Sequence, residues 1–345
     1  KMDDSKKRAI TEETLKRTVE KMNPVLIKSL PASPEEILPY AQRRTDPVIS
    51  SNLSSELAER MRQSRLSDED YLATLFLSMY DAFYDKASSM SPTASVLIAQ
   101  TGAGKTNLRK ILLQRNPNSI IINSDSYKKF RPDADELQKK DPTHFGALTG
   151  IDSYDHAKNI VDFATSHSYD ILIEVAPSLQ QGMIGVNMEK LRQCQYSTRF
   201  HVMAVGDLIS ALAVHLRYEN ELSVSKATGD AKLTDLKRHN ESYMAVEKVL
   251  TGLDPATISI YRRGTDLESR RPMPIYNPAL SPIQILRGAR MASNQLYIND
   301  GFEKDYNLIL EAMRRRNAPQ AQFDQLANIY KMYENYVEQN VSIEL

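Results

Sequence analysis

An α/β fold, with a mostly parallel five-stranded sheet flanked by helices and helical extensions at both ends, is predicted by three features of the sequence. Five short apolar runs alternate with segments of helical periodicity. The first run leads directly into a glycine turn and a helix. The stretches 1–64 and 271–345 read as helices around this alternating region, which divides the chain into a helical N-terminal extension (1–64), a core (65–270) and a helical C-terminal region packing on the core (271–345).

Residues 1–64 are polar and interrupted by Pro24, Pro31, Pro34, Pro39 and Pro47. Leu15, Val19 and Met22 share a face in a helix over Thr11–Met22. Ser33-Pro34-Glu35-Glu36 carries an N-cap, a proline in the first turn and a glutamate three residues on. Another helix is expected over Ser54–Arg62. Such short helices need a surface to pack on, so the segment reads either as a mobile leader or as a regulatory, partner-binding element. Ser67-Asp68-Glu69-Asp70 starts a stronger helix, whose Tyr71, Leu72, Leu75, Phe76, Met79, Tyr80 and Phe83 form a core stripe.

The strands are expected at Val96–Ala99, Ser119–Asn123, Tyr169–Val175, Thr198–Val205 and Thr257–Tyr261. Helices are expected over Thr106–Gln114, Ser153–His167, 183–194, Asp207–Tyr218 and Thr234–Thr251, with 130–150 and 219–230 as polar loops. After the proline-rich 272–282, helices follow at 282–297, 302–316 and 319–338.

The turn after the first strand, Gln100-Thr101-Gly102-Ala103-Gly104-Lys105-Thr106-Asn107, has the layout of a phosphate-binding loop. Gly102 and Gly104 let backbone N–H groups curl around an anion. Lys105 would reach the β- and γ-phosphates of ATP or GTP, and the Thr106 hydroxyl would ligate Mg²⁺. The helix N-terminus adds partial positive charge. The full signature opens with glycine where this chain has Ala99, the smallest departure. The alternative is a plain glycine turn with Lys105 in solvent.

Composition narrows the function. Lys plus Arg and Asp plus Glu both number 44, so the net charge is zero. A protein living on nucleic acid is usually basic, which makes such a partner unfavoured. One cysteine, Cys194, excludes a disulfide framework or thiolate cluster. The six histidines show no metal-ligand spacing. No apolar run has the length of a membrane span, and no apolar stretch follows the charged Lys1–Arg8 as in a signal peptide. A cytoplasmic location is the expectation.

Ligands in parallel sheets bind at the carboxyl ends of the strands, which selects further candidates. Asp125 follows the second strand and can accept a hydroxyl proton or cap a turn. Glu174 lies in an otherwise apolar strand, where a charge is costly unless paired or near a site; it holds water or a substrate hydroxyl, or it points to solvent. Arg217 ends the helix after the fourth strand and Lys226 lies in the polar break that follows; both are either lid cations that stabilise charge during phosphoryl transfer or surface charges. Lys232, Lys237 and Arg238 read as surface charges.

Several of these segments resemble the zeta-toxin family of bacterial toxin–antitoxin systems, which are P-loop kinases. The segments are Ala-Gln-Thr-Gly-Ala-Gly-Lys-Thr-Asn-Leu-Arg, Ile-Ile-Ile-Asn-Ser-Asp-Ser-Tyr-Lys, Tyr-Asp-Ile-Leu-Ile-Glu, and Val-Met-Ala-Val with Leu-Arg-Tyr-Glu. The resemblance runs from about Leu66 to Tyr261. It implies transfer of phosphate from a nucleoside triphosphate to the 3′-hydroxyl of UDP-N-acetylglucosamine. Lys105 and Thr106 would be the phosphate and metal contacts, Asp125 the base, Glu174 the strand-end glutamate and Arg217 the first lid arginine. Lys226 falls where the family often has a second arginine and lacks its bidentate fork. The family usually continues Glu-Gly-Thr, with the threonine near the sugar nucleotide; here Glu174 is followed by Val175-Ala176-Pro177-Ser178. Another sugar nucleotide, NAD, or a nucleotide or polynucleotide 5′-hydroxyl is therefore an open alternative, as is a non-catalytic nucleotide-binding protein. The family's antitoxin blocks the nucleotide site, so the partner is either a separate antitoxin or residues 1–64 acting in cis.

Overall fold

The computed structural model describes residues 7–45, 54–142, 144–224, 233–263 and 271–343. In chain order the elements are β1 (Lys7–Ala9), α1 (Glu12–Lys21), α2 (Pro24–Lys28), α3 (Pro34–Ile37), β2 (Gln42–Arg44), α4 (Ser55–Gln63), α5 (Asp68–Phe83), β3 (Thr93–Ile98), α6 (Lys105–Arg115), β4 (Ile120–Ile122), α7 (Ala134–Lys140), α8 (Phe145–Ser166), β5 (Ile171–Val175), α9 (Met188–Gln193), β6 (Ser197–Ala204), α10 (Asp207–Val224), α11 (Leu236–Leu250), β7 (Ile258–Arg262), β8 (Met273–Ile275), α12 (Pro282–Asp300), α13 (Phe302–Arg315) and α14 (Gln320–Ile343). A 3₁₀ turn covers Ser124–Phe130 between β4 and α7.

The sheet has the order β4-β5-β3-β6-β7-β8. The five anticipated strands are mutually parallel, with Val96 at the centre beside Ile173 and Phe200. β8 is a sixth strand, added antiparallel at the edge, and its Pro274 sits where a missing N–H is tolerated. The proline that marked this stretch as a connection is thus compatible with an edge. Local chemistry sets the helix starts. Ser33 and Ser281 form capping boxes with Glu36 and Gln284, and the Ser67 hydroxyl accepts from the Asp70 N–H.

Two expected loops are helical in part, with 225–230 outside the described residues. Residues 130–150 hold α7 and the start of α8, and α10 continues through 219–224. In α8 the buried face mixes Phe145, Leu148 and Ile151 with Thr149, Gly150, Asp152 and, further on, Asp155, which interrupts the apolar stripe over its first turns. Arginines compensate these acids. Arg43 on β2 bonds both Asp68 (2.6 Å) and Asp152 (3.0 Å), Arg131 reaches Asp152 (3.3 Å), and Arg44 pairs with Asp155 (3.0 Å). Conversely, the helix expected over 183–194 is confined to α9, because Gly182 and Gly185 carry left-handed backbone before it.

Residues 7–45 are built into the protein rather than laid over it. Ile10, Leu15, Ile37 and Ala41 belong to the same buried cluster as Phe76, Val96, Ile173 and Phe200. At the other end, Phe302, Ile309, Met313, Leu326 and Ile329 pack on Leu208, Ala211 and Leu212 of α10. Arg316 clamps Glu219 of α10 through Nε (2.9 Å) and Nη2 (2.6 Å). Asp207, at the start of α10, accepts from Asn294 (2.7 Å) and Tyr336 (3.0 Å).

Candidate active site

A cleft of about 2420 Å³ opens at the carboxyl ends of the strands. Its floor is the loop between β3 and α6. Ala99 is fully buried and its N–H donates to Val175 O at 3.2 Å, so alanine in place of the usual first glycine leaves the loop anchored on β5. Gly102 and Gly104 have φ of +78° and +92°, a conformation that favours glycine. A side chain at Gly102 would also meet the Ser210 carbonyl oxygen on α10 at 2.0 Å. The loop is thereby pressed against the helix that carries Arg217.

Lys105 Nζ donates to the carbonyls of Ala99 and Gln100, both at 3.0 Å. Burial lowers its pKa to about 8. The Glu174 carboxylate opposes that shift, Arg217 adds to it, Asp125 opposes it and Arg238 adds to it. These four groups are therefore close enough to act on one ammonium. Thr106 is exposed to the cleft at the first turn of α6. Gln100 differs from the rest of the loop: its side chain turns away, donating to Val205 O (2.9 Å) and Ser210 Oγ (3.2 Å), so only its backbone faces the loop. Thr101, Ala103 and Asn107 line the cleft. The Thr101 hydroxyl is buried without a hydrogen-bond partner among the described residues, and with the two glycines and the α6 N-terminus it suits an incoming phosphate.

Asp125 stands just beyond β4, in the first turn of the 3₁₀ segment. The Asn123 side chain caps that turn by accepting from Asp125 N–H at 2.9 Å. Asp125 itself is half exposed, and the nearly buried Lys128 donates to its Oδ1 at 2.7 Å. The carboxylate is thus held at the cleft surface by Lys128. Glu174 does not point to solvent: its side chain is 6% exposed, and Oε1 takes Arg109 Nη1 at 3.0 Å. Its Oε2 accepts from Asn123 Nδ2. Arg109, Glu174, Asn123 and Asp125 form one continuous chain of hydrogen bonds from the phosphate-loop helix to the candidate base.

Arg217 is exposed in the cleft and lies within α10, with Glu221 at 3.7 Å, rather than at a helix end. Lys226 lies outside the described residues. Arg238, read from the sequence as a surface charge, is a cleft residue whose guanidinium donates to Ala176 O (2.8 Å) and Pro177 O (3.0 Å).

With this geometry established, similarity to known proteins can be stated. A family model described as zeta toxin matches residues 81–269. The chain belongs to the zeta toxin family. A zeta toxin of Enterococcus hirae is 29% identical over 244 residues, covering 65% of this chain and 75% of the relative. One from Streptococcus agalactiae is 30% identical over 216 residues, covering 57% and 68%. A solved structure from the PezAT chromosomal toxin–antitoxin system of Streptococcus pneumoniae shares the fold, with a TM-score of 0.57 and 21% identity over 71% of this chain and 98% of the other. As a zeta toxin the protein is a kinase-like phosphotransferase that uses a nucleoside triphosphate. No described helix is long and apolar enough to cross a membrane.

The zeta toxin cleft gathers Lys105, Thr106, Asp125, Glu174 and Arg217, drawn from four chain segments. Reading by residue type and position missed Arg109, Asn123, Lys128 and Arg238. Asn123 and Lys128 flank Asp125 within the segment that carried the resemblance, and their polar character beside a buried strand was the available signal. Arg238 gave none, because its partners are about sixty residues away in sequence.

Proposed function

We propose that this zeta toxin transfers the γ-phosphate of ATP or GTP to a hydroxyl of a sugar nucleotide, with the 3′-hydroxyl of UDP-N-acetylglucosamine as the first candidate. One observation carries the reading: Asp125, Glu174 and Arg217 share a cleft with the phosphate loop and all act electrostatically on Lys105. Asp125 would accept the proton of the acceptor hydroxyl as its oxygen attacks the γ-phosphorus, while the bond from that phosphorus to the β,γ-bridging oxygen breaks and the nucleoside diphosphate leaves. Lys105 and Arg217, with Lys226 in the family's second lid position, would stabilise the charge on the transferring oxygens. Glu174, held by Arg109 and Asn123, would fix the acceptor against Asp125.

Thr106 is the protein's candidate metal ligand. No cluster of three acidic, histidine or cysteine side chains suited to a metal exists among the described residues, so the remaining positions would be filled by phosphates and water. Mg²⁺ held there supplies neutralisation of the β- and γ-phosphate charge. A separate antitoxin is the proposed partner, since residues 7–45 are committed to the core.

A second acceptor class follows from the strand exit. Val175–Ser178 replaces the Gly-Thr that the family usually places there, which makes a different sugar nucleotide or NAD the second candidate after UDP-N-acetylglucosamine. The test is mass-spectrometric detection of phosphate gain with ATP, Mg²⁺ and a panel of UDP-N-acetylglucosamine, other UDP-sugars, NAD and an oligonucleotide. Asp125→Asn should lower turnover by about 10²–10⁴-fold, and Lys105→Ala should abolish it. Nucleotide binding without transfer to any acceptor would overturn the proposal.

A further inference from the structure

The chain leaving β5 is stapled to one face of α11. Arg238 donates to the carbonyls of Ala176 (2.8 Å) and Pro177 (3.0 Å). One turn on, Glu241 Oε1 accepts from Ser178 Oγ (2.9 Å) and Leu179 N–H (3.1 Å). Two turns further, Lys248 Nζ donates to Leu179 O at 3.0 Å. The spacing 238, 241, 248 keeps all three on one side of the helix. The loop is also closed on itself. Ser178 N–H donates to Gly182 O (3.0 Å), Gly182 N–H donates to Ser178 O (2.8 Å), and Gly182 supplies the left-handed turn.

This stapled loop is a wall of the cleft, not a remote feature. Ala176, Ser178, Gln180 and Gln181 line the cavity, as do Arg238 and Glu241. Its first residue is two positions past Glu174. Four consecutive residues thus take their places from α11, through two charged side chains that are each about one-third exposed (33% and 32%). Charge-assisted bonds of this kind hold geometry better than neutral ones, and Arg's planar fork fixes two carbonyls at once where lysine would fix one.

We propose that Arg238 and Glu241 are specificity-determining residues: they set the shape of the Ala176–Leu179 wall and so decide which acceptor seats against Glu174 and Asp125. The proposal rests on the acceptor-kinase reading above. It places acceptor choice partly in α11, an element that contributes no atom to the phosphate loop.

Two measurements on the full-length chain test it. The first needs no substrate. Hydrogen exchange of the 176–182 amides should accelerate at least about tenfold in Glu241→Ala, which frees the Leu179 N–H, and in Arg238→Ala. It should stay near wild type in Glu241→Gln, which keeps an accepting oxygen. The second uses whichever panel acceptor the wild type phosphorylates. Arg238→Ala and Glu241→Ala should each raise its KM about tenfold while kcat changes less than about threefold. Arg238→Lys should recover only part of the loss, and the double variant should lose less than the product of the singles because both act on one loop. Unchanged exchange in both alanine variants overturns the staple. Faster exchange with unchanged acceptor KM, or a fall in kcat alone, overturns the assignment to specificity. A wild type that phosphorylates no acceptor defeats the acceptor-kinase reading and this assignment with it, while the exchange result still reports on the staple.

Discussion

Lys105 is poised between two protonation states. Burial among the loop carbonyls brings its pKa to about 8, and the phosphates of a bound nucleotide would raise it again by opposite charge. Above pH 8 the free protein holds this amine largely neutral and the complex holds it charged, so binding takes up a proton. Nucleotide affinity should therefore fall as pH rises through about 8. Calorimetry in buffers of different ionisation enthalpy should show proton uptake at pH 8.5, little below pH 7, and none in Lys105→Met. Equal uptake in wild type and variant would assign the proton elsewhere. At this scale the sequence is legible where chemistry is contiguous. Gly-Ala-Gly-Lys-Thr and Asn-Ser-Asp-Ser each lie within a few residues, so their roles follow from local spacing. Glu174 was legible as an anomaly, but its partners Arg109 and Asn123 were not, because only the parallel register of β4, β3 and β5 brings them together.

The first two turns of α8, over 145–152, show how part of an element escapes pattern reading. There the buried face mixes apolar and polar side chains, and its acids are met by Arg43 on β2, Arg65 before α5 and Arg131 just past the 3₁₀ turn. Arg43 is 4% exposed, bonds Asp152 and Asp68, and stacks on the Tyr71 ring at 4.4 Å. Breaking one partner of a buried ionic set leaves a charge uncompensated. Arg43→Met should destabilise the protein by about 3 kcal/mol, read as a lower urea midpoint with an unchanged slope. Asp152→Asn added to it should recover part of that loss, since the stranded acid is then gone. An Arg43→Met variant as stable as wild type would show that Arg65 and Arg131 suffice for Asp152. The strands, by contrast, were legible throughout the parallel sheet because buried parallel strands are nearly uniform in apolarity. The ribbon of β1 and β2 was not, since three-residue strands carry no period to read.

For the whole molecule, acid is the informative stress. His156, His201 and His215 sit in separate parts of the core, and burial lowers each pKa to about 4. Between pH 6.5 and 4 the unfolded chain binds protons that the native protein excludes, so stability falls as pH falls across that window. Tm should drop on the order of 5–10 °C between pH 7 and 4.5, and His156→Gln should flatten part of that slope. A Tm independent of pH over this range would mean that the three rings are solvated. The alternation of strands and helices made the α/β architecture legible from sequence. The joining of both extensions to it was not, because Ile10 shares a buried cluster with Val96, and Phe302 one with Leu212, across long stretches of chain.

The bracing of α10 by α12, α13 and α14 also has a consequence in time. Translation delivers the phosphate loop, Asp125 and Glu174 well before Ser293, which receives the Gly206 N–H at 2.8 Å, and before Tyr336, which bonds Asp207. Until α12–α14 are made and docked, α10 lacks the surface that it packs on in the folded protein. A nascent chain thus carries the groups of the cleft before their final arrangement, which is complete only once α12–α14 have docked on α10.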